Sequence, residues 1–147
     1  MAAIYACSSG QNEPNRSRVV LLAEDEILIR MDVADELRQA GWTVYEVGTA
    51  DEAIELLLTS LRIDLVLTDV SMPGQANGLD LAAHVRRERP GVRVVVMSGH
   101  YFPSEQDKSL MDGFFWKPAY QLVPQLEKIM KGTKQSGDRS RPDDDTL

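Results

Sequence analysis

The chain has 147 residues, 43% hydrophobic and 27% charged, with a formal net charge of −7. A domain of this length buries roughly 70% of its unfolded surface, so it needs neither disulfides nor a structural metal to fold. The acidic balance argues against nucleic acid as the main partner; the single cysteine, Cys7, allows no internal disulfide; and no apolar run approaches the ~18 residues of a membrane span.

Taken in chain order, residues 1–17 are rich in Ser, Asn, Gln and Gly and read as a flexible leader. They hold no apolar segment of signal-peptide length, and the cytosol is the expected location. The continuous apolar run Arg18 to Ala23 suggests a strand buried on both faces. Ile27, Met31, Ala34 and Leu37 then recur at helical spacing up to Gly41, a natural helix stop. Trp42 to Val47 reads as a second strand. Thr49 followed by Glu52 is a capping box that opens a helix to about Ser60. Asp64 to Thr68 forms a third strand. The segment Ser71 to Gly78 is a loop punctuated by Pro, Gly and Asn-Gly. A helix from Leu79 to Arg89 is stopped by Pro90-Gly91, and its basic end, Arg86-Arg87-Glu88-Arg89, suits the negative pole of a helix dipole. Val92 to Met97 is the most hydrophobic strand. Only a short helix fits between Pro103 and Met111, before a fifth strand at Phe114 to Trp116. A last helix runs from about Ala119 to Lys131, and residues 132–147 read as a disordered acidic tail. Five βα units of this length predict a parallel sheet with helices on both faces, within a domain spanning about 18–131.

In such a sheet the carboxyl ends of the strands share one rim, and the pocket opens there. The rim collects Glu24 and Asp25 after the first strand, Asp69 after the third, Ser98 and Gly99 after the fourth, and Lys117 after the fifth. Three converging carboxylates repel one another unless a cation sits among them. Oxygen-only ligands suit a hard ion, and Mg²⁺ takes one or two carboxylates beside a phosphate oxygen. For Glu24-Asp25-Glu26 alone, negative charge at a helix start is an equal explanation; Asp69 at a second strand end tips the balance to a metal. Asp69 is also a candidate nucleophile, since carboxylates form acyl phosphates. Phosphoryl transfer asks for positioning and charge neutralisation, which Mg²⁺, Lys117 and the Ser98 hydroxyl would supply.

The acidic pair, the Asp-Val-Ser-Met-Pro-Gly stretch at Asp69, Met-Ser-Gly at Ser98 and Trp-Lys-Pro at Lys117 resemble the receiver domain of bacterial two-component response regulators. The resemblance covers Arg18 to about Lys131. It implies a flavodoxin-like α/β fold with strand order 2-1-3-4-5, and Mg²⁺-dependent phosphate transfer to Asp69 from a histidine kinase or phosphotransfer protein. It further implies that Asp25, Asp69 and the Ser71 backbone carbonyl bind the metal, with Glu24 in the outer part of that site. Ser98 would be the switch hydroxyl, Phe114 the switch aromatic and Lys117 the phosphate contact. Pro118 would follow a cis peptide bond. No turnover enzyme is implied beyond catalysis of its own phosphorylation and dephosphorylation.

Four departures from that pattern stand out. Glu24 occupies a place usually held by Asp, and its longer side chain reaches deeper into the site. The loop from Asp69 to Leu79 looks one residue longer than the commonest pattern. Phe114 lacks the hydroxyl of the frequent Tyr. Nineteen positions separate Ser98 from Lys117, fewer than usual, so the fourth helix must be short or irregular. That brings a conventional dimer through the fourth-helix face into question. His84 is expected at the surface, and His100 follows the Ser98-Gly99 pair.

With about fifteen residues after the last helix, the expectation is a stand-alone receiver that signals by contact with an unnamed downstream protein or acts as a phosphate shuttle or sink. The alternative is a phosphorylation-independent adaptor with the same fold. An aspartyl-phosphate hydrolase fits poorly, because Ser71 stands where such enzymes carry a second Asp.

Overall fold

A computed structural model describes residues 17–132. The leader and tail expected at the two ends lie outside the described residues. Ten elements alternate along the chain: β1 (Val19–Ala23), α1 (Ile27–Gln39), β2 (Thr43–Val47), α2 (Ala50–Leu57), β3 (Leu65–Asp69), α3 (Gly78–Glu88), β4 (Arg93–Ser98), α4 (Glu105–Lys108), β5 (Gly113–Trp116) and α5 (Leu122–Lys131). The strands form one parallel sheet in the order β2-β1-β3-β4-β5. This is the flavodoxin-like arrangement, with the order reversing between β1 and β3 so that a crevice opens at their carboxyl ends.

The central strands are apolar on both faces because helices cover both. Val20, Leu22, Leu65, Leu67 and Val95 point to one side, where Ala34 and Leu37 of α1 and Leu122 and Leu126 of α5 meet them. Leu21, Val66, Val94 and Val96 point to the other, against Ala50, Ala53 and Leu57 of α2 and Leu81, Ala82 and Val85 of α3. Each fully buried Leu or Val contributes roughly 1.5–3 kcal/mol relative to exposure.

The elements follow the sequence expectation with instructive exceptions. Ile27, Leu28 and Met31 of α1 are 58%, 79% and 56% exposed, although Ile27 and Met31 share the spacing of the buried Ala34 and Leu37. The helix starts past the carboxyl end of β1, and only its later turns lie back over the sheet. The last helix begins at Leu122, three residues later than expected. Pro124 has no amide proton to give, and this start places it in the first turn, where none is needed. Thr49 caps α2 through a bond from Glu52 N (3.0 Å), but the Glu52 carboxylate turns to Gly48 N (3.0 Å) instead of closing the box on Thr49. The fourth helix is a single turn, as the spacing predicts, and Ser104 with Asp107 forms its capping box. Its Asp107 also accepts a hydrogen bond from the Tyr101 hydroxyl. That bond raises the tyrosine pKa and lowers the aspartate pKa.

At the basic end of α3, Arg86 and Arg89 are tied into the fold, while Arg87 and Glu88 pair at the surface. Arg86 pairs with Asp112 at 3.2 Å, and Arg87 with Glu88 at 3.3 Å. Arg89 reaches the carbonyls of Leu61 and Thr59 at 2.9 and 2.7 Å. His84 is half-buried, not at the surface: its Nε2 is enclosed and has no hydrogen-bond partner among the described residues.

Candidate functional site

β1 delivers Glu24 and Asp25 to the sheet rim, β3 ends on Asp69, β4 ends on Ser98 and Lys117 follows β5. Parallel pairing brings these ends together: Ala23 lies opposite Thr68, Asp69 opposite Met97 and Ser98 opposite Trp116. Lys117 N donates to Ser98 O at 3.0 Å, extending the β4–β5 ladder to the site lysine. The Lys117-Pro118 peptide is cis, as the resemblance implies.

Lys117 is the hub. Its Nζ donates to Glu24 Oε1 at 2.7 Å and to Asp69 Oδ2 at 3.0 Å. Burial alone would depress the lysine, but the hydrogen bonds and charges of these two carboxylates outweigh it and hold its pKa above the ordinary value. Glu24 is 1% exposed. Desolvation pushes its pKa up, and the nearby Asp69 charge adds to that, against the bonds from Lys117 and from Glu26 N. The two shifts agree with one picture, in which a single ammonium is shared by two carboxylates and burial makes Glu24 reluctant to ionise. The Glu24 backbone is also fixed, with its N–H on Val47 O at 3.1 Å and its carbonyl accepting from Arg30 Nη1 at 3.0 Å.

Glu24, Asp25 and Asp69 each place one carboxylate oxygen within 4.8 Å of the others. Glu24 and Asp69 are buried while Asp25 is exposed, so the trio opens to solvent on one side. An all-oxygen set of this size fits a hard divalent cation.

Ser98 is 3% exposed. Its Oγ accepts from Tyr101 N at 2.8 Å and His100 N at 3.2 Å. Both lone pairs are thus occupied, leaving the proton as the group the hydroxyl can offer. Phe114 is half-buried against the α2–α3 side of the core. Its ring meets Trp116 edge-on at 5.1 Å, and Trp116 stacks on Phe102 at 5.7 Å. Ser71 lies two residues beyond Asp69 and is exposed, and His100 is exposed as well.

Two residues that shape the site escape a sequence reading. At Gly78 an added Cβ would lie 1.9 Å from Asp69 O, and Gly78 N bonds Val70 O at 2.9 Å, so the start of α3 rests directly on the backbone of Asp69. Asn77 caps α3, accepting from Leu79 N and Asp80 N at 2.8 and 2.9 Å while Asp80 accepts from Asn77 N. The signal was the Asn-x-x-Asp spacing, masked by Asn-Gly, which reads as a turn.

An open groove of about 1120 Å³ runs between α1 and the segment from Lys117 to Gln121. Leu28, Met31, Met97 and Tyr120 line it together with Lys117.

Comparison with known proteins places this geometry. The model of the response regulator receiver domain matches residues 20–120. The transcriptional regulatory protein PdtaR of Mycobacterium tuberculosis is 44% identical over 80 residues, covering 54% of this chain and 38% of that protein. The sensor kinase CckA of Brucella abortus is 34% identical over 85 residues, covering 57% of this chain and 9% of that protein. The chain therefore spans well under two thirds of the length of either relative. Among solved structures, the response regulator TrrA of Thermotoga maritima in complex with Mg²⁺-BeF superposes with a TM-score of 0.70 at 23% identity, covering 76% of this chain and 98% of that one. A response regulator receiver protein from Sinorhizobium medicae gives 0.68 at 27% identity, covering 78% and 95%. With the family model matched across the sheet and every motif at the rim, the chain belongs to the response regulator receiver domain family.

Proposed function

We infer that this receiver accepts a phosphoryl group on Asp69 from a histidine kinase or phosphotransfer protein, and passes the signal by protein contact or serves as a phosphate shuttle or sink. The family is one of signalling domains, not of enzymes in the ordinary sense. The observation that carries the reading is Lys117 Nζ held between Glu24 and Asp69 at 2.7 and 3.0 Å, beside three carboxylates grouped to hold a cation.

A carboxylate oxygen of Asp69 attacks phosphorus as the bond from phosphorus to the donor breaks, and the electron pair leaves with the donor nitrogen. Lys117 is already within a hydrogen bond of the accepting carboxylate, so it meets the charge that arrives there. The free proton of Ser98 suits a second phosphoryl oxygen. Asp25, Asp69 and the Ser71 carbonyl would hold Mg²⁺, with Glu24 in the outer part of the site; the bound ion would neutralise phosphoryl charge. Ser98 and Phe114 would carry the switch, the new contacts of Ser98 and Lys117 favouring one conformation over the other. The exposed Leu28, Met31 and Tyr120 beside the site offer apolar surface for a donor protein to cover.

The proposed setting is the cytosol, with no nucleic-acid or membrane partner. No helix among the described residues is long and apolar enough to cross a membrane, and Arg86 and Arg89 are engaged within the fold.

Incubation with labelled acetyl phosphate and Mg²⁺ tests the reading. Wild type is expected to take up label and Asp69→Asn none. Persistent labelling of the variant removes Asp69 as acceptor, and an unlabelled wild type returns the chain to the adaptor reading.

A further inference from the structure

The segment joining β3 to α3 carries the proposed metal-binding carbonyl of Ser71, yet Ser71, Pro73, Gly74, Gln75 and Asn77 are all exposed. What holds this loop decides where that carbonyl sits. Its base is closed by Gly78 N on Val70 O at 2.9 Å. Met72 and Ala76 rest half-buried against the α2–α3 side of the core. Its tip is fastened by a side chain from another element: Asp51, in the first turn of α2, accepts a hydrogen bond from Gln75 N at 2.9 Å through Oδ2.

The tip is built around this bond. Gly74 has φ +108°, a conformation that residues with a Cβ rarely adopt. An added Cβ there would lie 2.4 Å from the same Asp51 Oδ2. Glycine thus serves two needs, turning the chain and letting the carboxylate reach the next amide. The bond spans 24 residues and links the loop to a helix whose N-terminus is itself capped by Thr49.

We propose that Asp51 is the positioning residue of this loop, setting the Ser71 carbonyl for the cation held with Asp25 and Asp69. The proposal rests on the metal-binding reading given above. Asp51 touches neither the carboxylates nor the phosphoryl group; it acts through the backbone of Gln75. A negative charge at the start of α2 also suits the helix dipole, so the test must separate the bond from the charge. An asparagine keeps the acceptor oxygen and loses the charge, whereas an alanine loses both.

Mg²⁺ affinity of the full chain is measured by calorimetry for wild type, Asp51→Asn and Asp51→Ala, with amide hydrogen exchange at Gln75 followed in the same proteins. Loss of one hydrogen bond is expected to weaken Mg²⁺ binding by about three- to tenfold in Asp51→Ala and to speed exchange at Gln75. Asp51→Asn is expected to stay within about twofold of wild type on both measures. Equal affinity of wild type and Asp51→Ala overturns the proposal while leaving the metal site intact. Equal weakening in both variants overturns it in favour of a charge effect. Absence of Mg²⁺ binding by wild type overturns the metal reading and this proposal together.

Discussion

Gly78 shows how far one hydrogen atom in place of a methyl group reaches. Its φ is ordinary, so space and not conformation demands glycine: a Cβ there would meet Asp69 O at 1.9 Å and Val70 Cα at 2.9 Å, both backbone and unable to rotate away. Gly78→Ala is expected to destabilise the domain by about 3 kcal/mol or more, read as a lowered urea midpoint. On the proposed reading it is also expected to reduce labelling of Asp69, since the displaced backbone carries that residue. Lys117 makes a second residue-scale prediction. Its folded-state pKa lies above the ordinary 10.5, so its contribution to stability is complete below that pH and fades as pH rises through the folded value. Lys117→Met leaves the buried Glu24 carboxylate without its ammonium and should be less stable at neutral pH. The stability gap between wild type and variant, measured by urea unfolding in metal-free buffer, is expected to narrow above about pH 10.5. A gap that stays constant through the alkaline range would mean that Lys117 contributes through packing and not through charge.

At the scale of elements, two short-range designs among the described residues are capping boxes. Asn77 and Asp80 close the N-terminus of α3, and Ser104 with Asp107 closes α4. Asn77→Ala removes two acceptor contacts from an eleven-residue helix and is expected to cost about 1 kcal/mol in chemical denaturation. Because α3 begins against Asp69, the same change tests whether the helix start and the proposed phosphoacceptor are mechanically joined. The single turn of α4 has no buried residue of its own. It is attached to the site through Tyr101, whose backbone N–H bonds Ser98 Oγ and whose hydroxyl bonds Asp107. Phe102, next to Tyr101 in the chain, stacks on Trp116 of β5.

Across the whole molecule, the parts legible in the sequence were those set by local composition. Apolar runs of strand length ended on Asp69, Ser98 and the Glu24-Asp25 pair, and parallel pairing then made their meeting unavoidable. The small α4 followed from the nineteen positions between Ser98 and Lys117. What escaped was non-local. Periodicity marked α1 as a helix but did not tell which turns lie over the sheet: Ile27 and Met31 share the spacing of the buried Ala34 and Leu37 and yet stand exposed. Pro124 carried the information that α5 starts late, and the expected start at about Ala119 did not use it. Gly78 and Asp51 act on chain segments nine and 24 residues away, a distance over which no periodic pattern speaks.

Counting formal charges at the rim, Glu24, Asp25 and Asp69 against Lys117 leave an excess of two negatives. A phosphate donor, itself an anion, meets repulsion there until something doubly positive arrives, after which the electrostatic account is level. On the proposed reading the domain therefore responds to a coincidence and not to a single input: kinase signal and divalent ion must be present together, with the acidic pocket acting as the gate that enforces the order of arrival.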